Sequence, residues 1–197
     1  EIDGDKIMAI ISKYLKEKGM LSKNTVVSTI MSNLGLQKYA KDNSLELIQT
    51  KVGDRYVLEE MLKNGYNLGG EQSGHVILLD YNPTGDGILT SIMLIQAILE
   101  NNKKASEMCE IIKLYPQVLI NAKVNSDKKY DYQDNLEIKE AIEKLEKEFA
   151  GNGRVLIRPS GTEPKCKFYF SIKGTDAKDA ADKTAVFQKD MMNIIGE

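Results

Sequence analysis

The 197-residue chain is poor in the residues that metal clusters and disulfide scaffolds require. It has one histidine, two cysteines and no tryptophan, and Cys109 and Cys166 lie far apart, without Cys-x-x-Cys spacing. Zinc ribbons, thioredoxin-type redox sites and sites built from two imidazoles are therefore excluded. No apolar run reaches the ~18 residues of a transmembrane helix. Residues 1–5 do not resemble a signal peptide. These absences predict a cytoplasmic protein with no membrane partner.

An excess of charge of one sign is also missing. Lysine and arginine number 27 against 29 aspartates and glutamates, which gives a net charge of −2. Without a basic surface, no nucleic-acid partner is predicted. The hydrophobic share of 42% and the charged share of 28% are typical of folded domains. The length suits one large domain or two small ones. Because the chain does not begin with methionine, we interpret it as a fragment of a longer protein.

The first half of the chain alternates between helix and strand patterns. Apolar spacing predicts a helix over residues 7–15 that ends at Gly19, and further helices over 34–41 and 88–99. Asp54 is predicted to cap another helix, and Thr84 or Asp86 to cap the last of these. Runs rich in β-branched residues predict strands over 25–30, 45–50 and 76–79. This alternation predicts an α/β domain with a mostly parallel sheet over residues 1–115.

The pattern changes near Tyr115. Residues 116–197 are predicted to form a small α+β domain in the order strand, helix, strand, strand, helix. The predicted segments are a strand over 118–124, a loop over 125–135, a helix over 138–149, a turn over 151–153, strands over 154–157 and 165–173, and a last helix that begins after Asp176.

The first candidate site is the glycine-bearing segment 69–75. Its glycines allow a tight turn and a close approach of backbone to ligand. Glu71 can accept two hydrogen bonds from adjacent sugar hydroxyls. Ser73 and His75 could add further contacts. A plain β-turn with a capped carboxylate and a half-exposed histidine is the alternative interpretation, and the residue types alone leave both open.

The second candidate site is the segment 158–164 between two predicted strands. The planar guanidinium of Arg158 matches a phosphate group bidentately. The hydroxyls of Ser160 and Thr162 and the backbone N–H of Gly161 could complete an anion-binding loop. We interpret this segment as a phosphate site, with an ordinary proline–glycine turn as the alternative.

Two weaker candidates lie elsewhere in the chain. Lys51 and Arg55 flank a glycine between a strand and a helix and could assist an anionic substrate, although an ordinary loop with a helix cap explains them equally well. Asp3 and Asp5 supply fewer oxygen ligands than Mg²⁺ needs. No metal site is predicted on this chain.

Both glycine-bearing segments resemble one known family. Residues 70–75 resemble the sugar-binding loop of the α-D-phosphohexomutases, and residues 158–164 resemble their phosphate-binding loop. The resemblance covers essentially the whole chain. The connecting segments 27–36, 51–57 and 84–87 are similar to the bacterial branch that acts on glucosamine phosphates. The aromatic strand after Pro164 is more similar to members that act on glucose phosphates, so phosphoglucomutase and phosphomannomutase activities stay open as alternatives.

The resemblance implies the last two of four domains. These are a three-layer α/β sugar-binding domain over residues 1–115 and a small phosphate-binding α+β domain, similar to the TATA-box-binding protein, over residues 116–197. It implies exchange of a phosphoryl group between the 6- and 1-positions of a hexosamine through a bisphosphate. The implied partners are a phosphosugar substrate and the N-terminal domains of the same protein.

The family's nucleophilic serine and aspartate-rich magnesium loop have no counterpart in this sequence. No catalytic residue is therefore assigned here, Mg²⁺ is expected only in the complete enzyme, and the fragment alone is expected to be inactive. The implied sugar contacts are Glu71, Ser73 and His75. The implied phosphate contacts are Arg158, Ser160, Gly161 and Thr162. A phosphosugar-binding module without catalysis is the alternative from another functional class.

Overall fold

The computed structural model describes residues 2–115, 117–123, 136–149, 153–159 and 165–172, together with 176, 178–179, 181–183, 185–186 and 189. The chain divides into two compact units, Glu1–Leu114 and Tyr115–Glu197. No helix among these residues has both the length and the apolar character needed to cross a membrane.

The first unit alternates helices and strands, as predicted. Its helices are α1 (Gly4–Glu17), α2 (Leu34–Asp42), α3 (Asp54–Asn64), α4 (Gly87–Glu100) and the short α5 (Ala105–Met108). Its strands are β1 (Thr25–Thr29), β2 (Glu46–Thr50), β3 (Leu68–Gly70) and β4 (Val76–Leu78). Single 3₁₀ turns occupy Ser22–Asn24 and Cys109–Ile111.

The sheet has the strand order β2-β1-β3-β4. Strand β1 runs parallel to β2 and β3, and β4 runs antiparallel to β3. One face packs against α1, α2 and α4 in the larger core, which includes Met8, Leu36 and Met93. The other face packs against α3 through Val57 and Met61. The prediction of a three-layer α/β unit with a mostly parallel sheet is confirmed.

Two local predictions need correction. Asp54 is the first residue of α3 rather than its cap, because Gly53 occupies the cap position with a φ of +130°. Strand β3 was not predicted, since two of its three residues are glycines and carry no β-branched signal. By contrast, Asp86 caps α4 as expected, and its carboxylate accepts the N–H groups of Ile88 and Leu89 at 2.9 and 3.0 Å.

The second unit contains β5 (Gln117–Lys123), α6 (Leu136–Phe149), β6 (Gly153–Pro159) and β7 (Lys165–Ile172). Its antiparallel sheet has the order β5-β7-β6. Asp176 accepts the N–H of Asp179 at 2.8 Å, as an N-cap does. The predicted loop over 125–135, residues 151–152 and most of the last predicted helix lie outside the described residues.

Candidate functional site

Residues 71–75 form the turn that joins β3 to β4. Gly70 pairs with Val76 at the end of the ladder. The N–H of Glu71 donates to the carbonyl of His75 at 2.9 Å, and the N–H of Gly74 donates to the carbonyl of Glu71 at 3.0 Å. Gly74 has a φ of +100°, a conformation that side chains disfavour. The backbone therefore fixes the turn, which also explains why a glycine occurs at this position.

The turn lies at the edge of the sheet where ligands of α/β proteins bind. Because β2, β1 and β3 are parallel, the residues that follow them emerge at the same edge. Residues 51–54 follow β2, and residues 71–75 follow β3. Crevices at the carboxyl ends of parallel strands are the usual ligand sites of open α/β sheets. The topology brings these two segments together, which sequence spacing alone does not show.

Glu71 is half-buried and bound to the start of α3. Its Oε1 accepts the N–H of Gly53, the α3 cap residue, at 3.1 Å. A carboxylate at a helix N-terminus is stabilised by the backbone dipoles there. This contact orients the carboxylate, so the capped-carboxylate interpretation and a ligand-binding role are compatible for this residue.

His75 is held between the start of α3 and the loop before α4. Its Nε2 lies 3.4 Å from Oδ2 of Asp54, and 35% of its side chain is exposed. A Cβ at Gly85 would lie 2.4 Å from the imidazole Cε1 and Nε2. Only glycine at position 85 therefore permits this ring position. The half-exposed ring can meet a ligand while one nitrogen faces a carboxylate.

The start of α1 supports the same turn from another side. The N–H of Gly4 donates to the carbonyl of Gln72 at 2.9 Å. A Cβ at Gly4 would lie 2.0 Å from the carbonyl oxygen of Glu71. The turn is thus braced by backbone atoms of α1 as well as by its own hydrogen bonds.

The two aspartates near the chain start serve local structure. Asp3 caps α1 by accepting the N–H of Lys6 at 3.0 Å. Asp5 is fully buried and accepts the N–H of Asn33 at 2.6 Å. Within the described ranges, no group of three or more histidines, cysteines, aspartates and glutamates is arranged to hold a metal ion.

The remaining candidates of the first unit differ from Glu71 and His75. Ser73 is exposed at the tip of the turn. Arg55 is directed along α3, where its Nε lies 2.7 Å from Oε1 of Glu59, and this contact raises the pKa of Arg55. Lys51 lines an open groove of about 480 Å³ between β2 and α3. Since Glu59 also lines this groove, it presents both signs of charge rather than a purely cationic surface.

Arg158 lies at the end of β6, where it pairs in register with Lys167 of β7. Pro159 and Cys166 form the last pair of the ladder. The segment that connects these strands, with Ser160, Gly161 and Thr162, lies outside the described residues. The structure therefore fixes the strand that carries Arg158 into this segment.

Sequence reasoning missed three residues of the first site. Gly53 donates to Glu71, Asp54 faces His75, and Gly85 leaves room for the His75 ring. All three are distant in sequence from the turn. The only signal was their place in short glycine-bearing connections, which does not say what they contact.

Fold and candidate site together define an α/β unit with a braced turn at the carboxyl edge of its parallel strands, followed by a second unit with an antiparallel sheet and a helix. The family model for phosphoglucomutase/phosphomannomutase α/β/α domain III matches residues 3–115, and the model for the C-terminal domain matches residues 119–188. The chain belongs to the phosphoglucomutase/phosphomannomutase family, so the resemblance seen in the sequence is confirmed.

The chain is similar to proteins named phosphoglucosamine mutase. It is 55% identical to one from Ruminiclostridium cellulolyticum over 194 residues, which is 98% of this chain and 42% of that protein. It is 59% identical to one from Ligilactobacillus salivarius over 162 residues, or 82% of this chain and 36% of that protein. The chain thus spans about two fifths of the length of these relatives.

Solved structures share the fold. N-acetylphosphoglucosamine mutase of Aspergillus fumigatus superposes with a TM-score of 0.78 at 17% identity, covering 98% of this chain and 44% of the fungal chain. The same fungal protein in complex with GlcNAc-6P and magnesium gives a TM-score of 0.74 at 18% identity, covering 99% and 44%.

Proposed function

We propose that residues 1–197 form the substrate-recognition part of a phosphoglucosamine mutase, which interconverts glucosamine 6-phosphate and glucosamine 1-phosphate through a bisphosphate. The observation that carries the proposal is the braced turn 71–75 at the carboxyl edge of the sheet. It presents a fixed carboxylate and a half-exposed imidazole. The similarity to phosphoglucosamine mutases supports the choice of reaction.

In this proposal the first domain, residues 1–115, binds the sugar. The Glu71 carboxylate accepts hydrogen bonds from ring hydroxyls, because an ionised carboxylate is an acceptor with two oxygens. Ser73, at the exposed tip, supplies a hydroxyl, and His75 supplies an imidazole N–H. Lys51, exposed after β2, is a secondary contact for an anionic group. Arg55 would have to leave Glu59 to act in the same way.

The second domain, residues 116–197, binds the phosphate that is not reacting. Arg158 offers a bidentate fork for phosphate oxygens. Ser160, Gly161 and Thr162 supply two hydroxyls and a backbone N–H. Support for this assignment comes from the sequence of the segment and from the match to the family's C-terminal domain.

Two separate binding sites, one for the sugar and one for the phosphate, suit a reaction whose intermediate must be held in two orientations. Phosphoryl transfer depends mostly on positioning and on charge stabilisation. The bisphosphate presents either of its phosphates to the reacting centre in the two half-reactions. A carboxylate that accepts from adjacent hydroxyls, together with a phosphate grip, can hold both orientations.

The reacting centre belongs to the preceding domains of the whole protein in this proposal. Mg²⁺ would supply charge neutralisation at the transferred phosphoryl group. The described residues do not fit such an ion, because Asp3 and Asp5 already hold backbone N–H groups of Lys6 and Asn33. This chain alone is therefore proposed to bind substrate without turnover. The proposal includes a cytoplasmic location, since charged sugar phosphates do not cross membranes unaided, and neither a nucleic-acid nor a membrane partner.

Calorimetric titration of the whole protein with glucosamine 6-phosphate tests the proposed sugar and phosphate sites. Glu71→Gln and Arg158→Ala should each weaken binding by about tenfold or more, because a charge-assisted hydrogen bond is lost. Glu17→Gln, at the opposite end of α1 from the turn 71–75, is the matched control and should leave the Kd unchanged. Unchanged affinity in both site variants would contradict the proposal. Mutase turnover by residues 1–197 alone would contradict the proposal that the reacting centre lies in the preceding domains.

A second candidate is mutase activity on glucose or mannose phosphates. It is favoured by the strand Lys165–Ile172, whose alternate residues Phe168 and Phe170 are similar to those of members acting on glucose phosphates. The ratio of kcat/KM for glucosamine 1-phosphate and glucose 1-phosphate in the whole protein separates the two. If the whole protein binds phosphosugars but turns none over, a non-catalytic binding module is the correct interpretation.

A further inference from the structure

Helix α4 carries an apolar face that the described structure leaves exposed. Its inner face packs into the larger core through Met93 and Ala97. The opposite face exposes four large side chains spaced by four, three and four residues. These are Ile88 at 77% exposure, Ile92 at 58%, Ile95 at 56% and Leu99 at 72%. We call these four residues the α4 stripe.

The α4 stripe is unusual for a helix that borders solvent. A helix at the surface of a domain normally turns polar residues outward, whereas one that is apolar all round is buried on both sides. Helices α2 and α3 follow the normal pattern. The exposed side of α2 carries Lys38 and Asp42, and that of α3 carries Arg55 and Glu59. A contiguous exposed apolar surface on one element marks an interaction site.

The position of the stripe indicates what covers it. Helices α1 and α4 lie side by side and run in the same direction. At their starts, Gly4 and Gly85 both contact the turn 71–75, and at their ends Tyr14 donates to Glu100 at 2.9 Å. Any polypeptide that precedes residue 3 therefore emerges at the same end of the unit as the start of α4.

We propose that the α4 stripe is the docking surface for the domain that precedes residue 3 in the whole protein. This inference rests on the proposed function, in which these residues work within a longer mutase. The relatives are more than twice as long as this chain, and the matched family models describe only a third and a C-terminal domain. A domain tethered at the end of the unit where α4 starts has an effective concentration of ~mM, which a partner recruited from solution does not reach.

Thiol labelling of single-cysteine variants tests the proposal. In a background with Cys109→Ser and Cys166→Ser, Ile88→Cys probes the stripe. Leu62→Cys, a single exposed apolar position on α3 at 60% exposure, is the matched control. In residues 1–197 alone, both cysteines should react with maleimide at similar rates. In the whole protein, labelling at position 88 should slow at least tenfold, while labelling at position 62 should not change.

A second pair of variants covers the case in which cysteine perturbs the helix. Ile95→Arg should lower the Tm of the whole protein and leave that of residues 1–197 unchanged, because the side chain is exposed in the shorter chain. Leu62→Arg should leave both unchanged. These results would support docking whether or not the mutase assay succeeds, so the two proposals can fail separately.

Three results would overturn the inference. The first is equal labelling at position 88 in the long and the short protein. The second is protection at position 88 in residues 1–197 with sedimentation as a dimer, which would assign the stripe to a second copy. The third is the same protection in a monomer, which would assign it to other residues of this chain.

Discussion

Helices α1 and α4 have the same length and the same residue types at their two ends, but they differ in what surrounds them. Each has 14 residues, begins with glycine after an aspartate cap and ends with glutamate. The start of α1 is buried against the turn 71–75, so a Cβ at Gly4 would collide with backbone. A Cβ at Gly87 would meet nothing within 4 Å. The same local sequence features thus build a helix in both places, and the tertiary environment decides which residue is indispensable.

The largest expected effect distinguishes these two glycines. Gly4→Ala should lower the free energy of unfolding by about 1–3 kcal/mol, because backbone atoms of the turn must shift. Gly87→Ala, at the equivalent helix position, should be neutral or stabilising by up to about 1 kcal/mol. Thermal unfolding of residues 1–197 followed by circular dichroism measures both. Equal Tm values for the two variants would show that α1 does not brace the turn.

The next effect concerns activity rather than stability. Gly85→Ala should displace the His75 ring, since the new Cβ would lie 2.4 Å from two ring atoms. The ring is half-exposed and can move, so the Tm should change little. Misplacing a substrate contact by about 1 Å can cost ~10²-fold in rate. We therefore expect kcat/KM of the whole protein to fall by roughly 10- to 100-fold.

The Gly85 prediction has an internal control. If alanine at position 85 acts through His75, adding it to a His75→Ala protein should cause no further loss of kcat/KM. Gly87→Ala, two residues away with open space around its Cβ, should retain full activity. A loss that persists in the His75→Ala background would assign a different role to the loop before α4.

A smaller effect follows from the cap of α4. The N–H of Leu89, followed by the Asn82 side chain, lowers the pKa of Asp86. A lowered pKa means that the ionised carboxylate stabilises the fold above the ordinary value of about 3.9 and that this stability is lost as the pH falls through the lowered value. Asp86→Ala should lower Tm at pH 7 by roughly 4 °C, and the difference should become smaller in acid, where the neutral carboxyl group accepts the same N–H groups more weakly.

Asparagine separates the charge of this cap from its hydrogen bonds. Asp86→Asn can still accept the N–H groups of Ile88 and Leu89. Because it lacks the charge, its Tm near neutral pH should lie between those of Asp86→Ala and the unchanged chain, without the acid-dependent loss. An Asp86→Ala difference that is as large in acid as at pH 7 would indicate that the carboxylate charge does not contribute to the stability.

Sequence patterns predicted most elements of the fold because the predictions rest on local chemistry. The long apolar run over residues 88–99 and the polar–apolar alternation in Lys165–Ile172 are each sufficient to predict an element. Strand β3 escaped prediction because glycine carries no strand signal. Likewise, the candidate site turn was found from its glycines and its carboxylate, but its supports were not. Gly53, Asp54 and Gly85 lie close to the turn because of the strand order, and the strand order depends on contacts between residues that are distant in sequence.

The smallest effect tests the other end of the α1–α4 pair. Tyr14 donates to Glu100 at 2.9 Å, and Glu100 also pairs with Lys18. Since Glu100 keeps Lys18 and contact with water, Tyr14→Phe should lower Tm by less than about 4 °C at pH 7.

Burial, with a further contribution from Glu100, raises the pKa of Tyr14. A raised tyrosine pKa means that stability is fully present below about pH 10 and falls as the pH rises through the raised value. The unsubstituted chain should therefore lose stability in alkali that Tyr14→Phe retains, so the order of their Tm values should reverse. Tyr56→Phe, at an exposed position on α3, is the control and should follow the unsubstituted chain throughout. If the order of Tyr14→Phe and the unsubstituted chain does not reverse, the buried hydroxyl does not link these two helices.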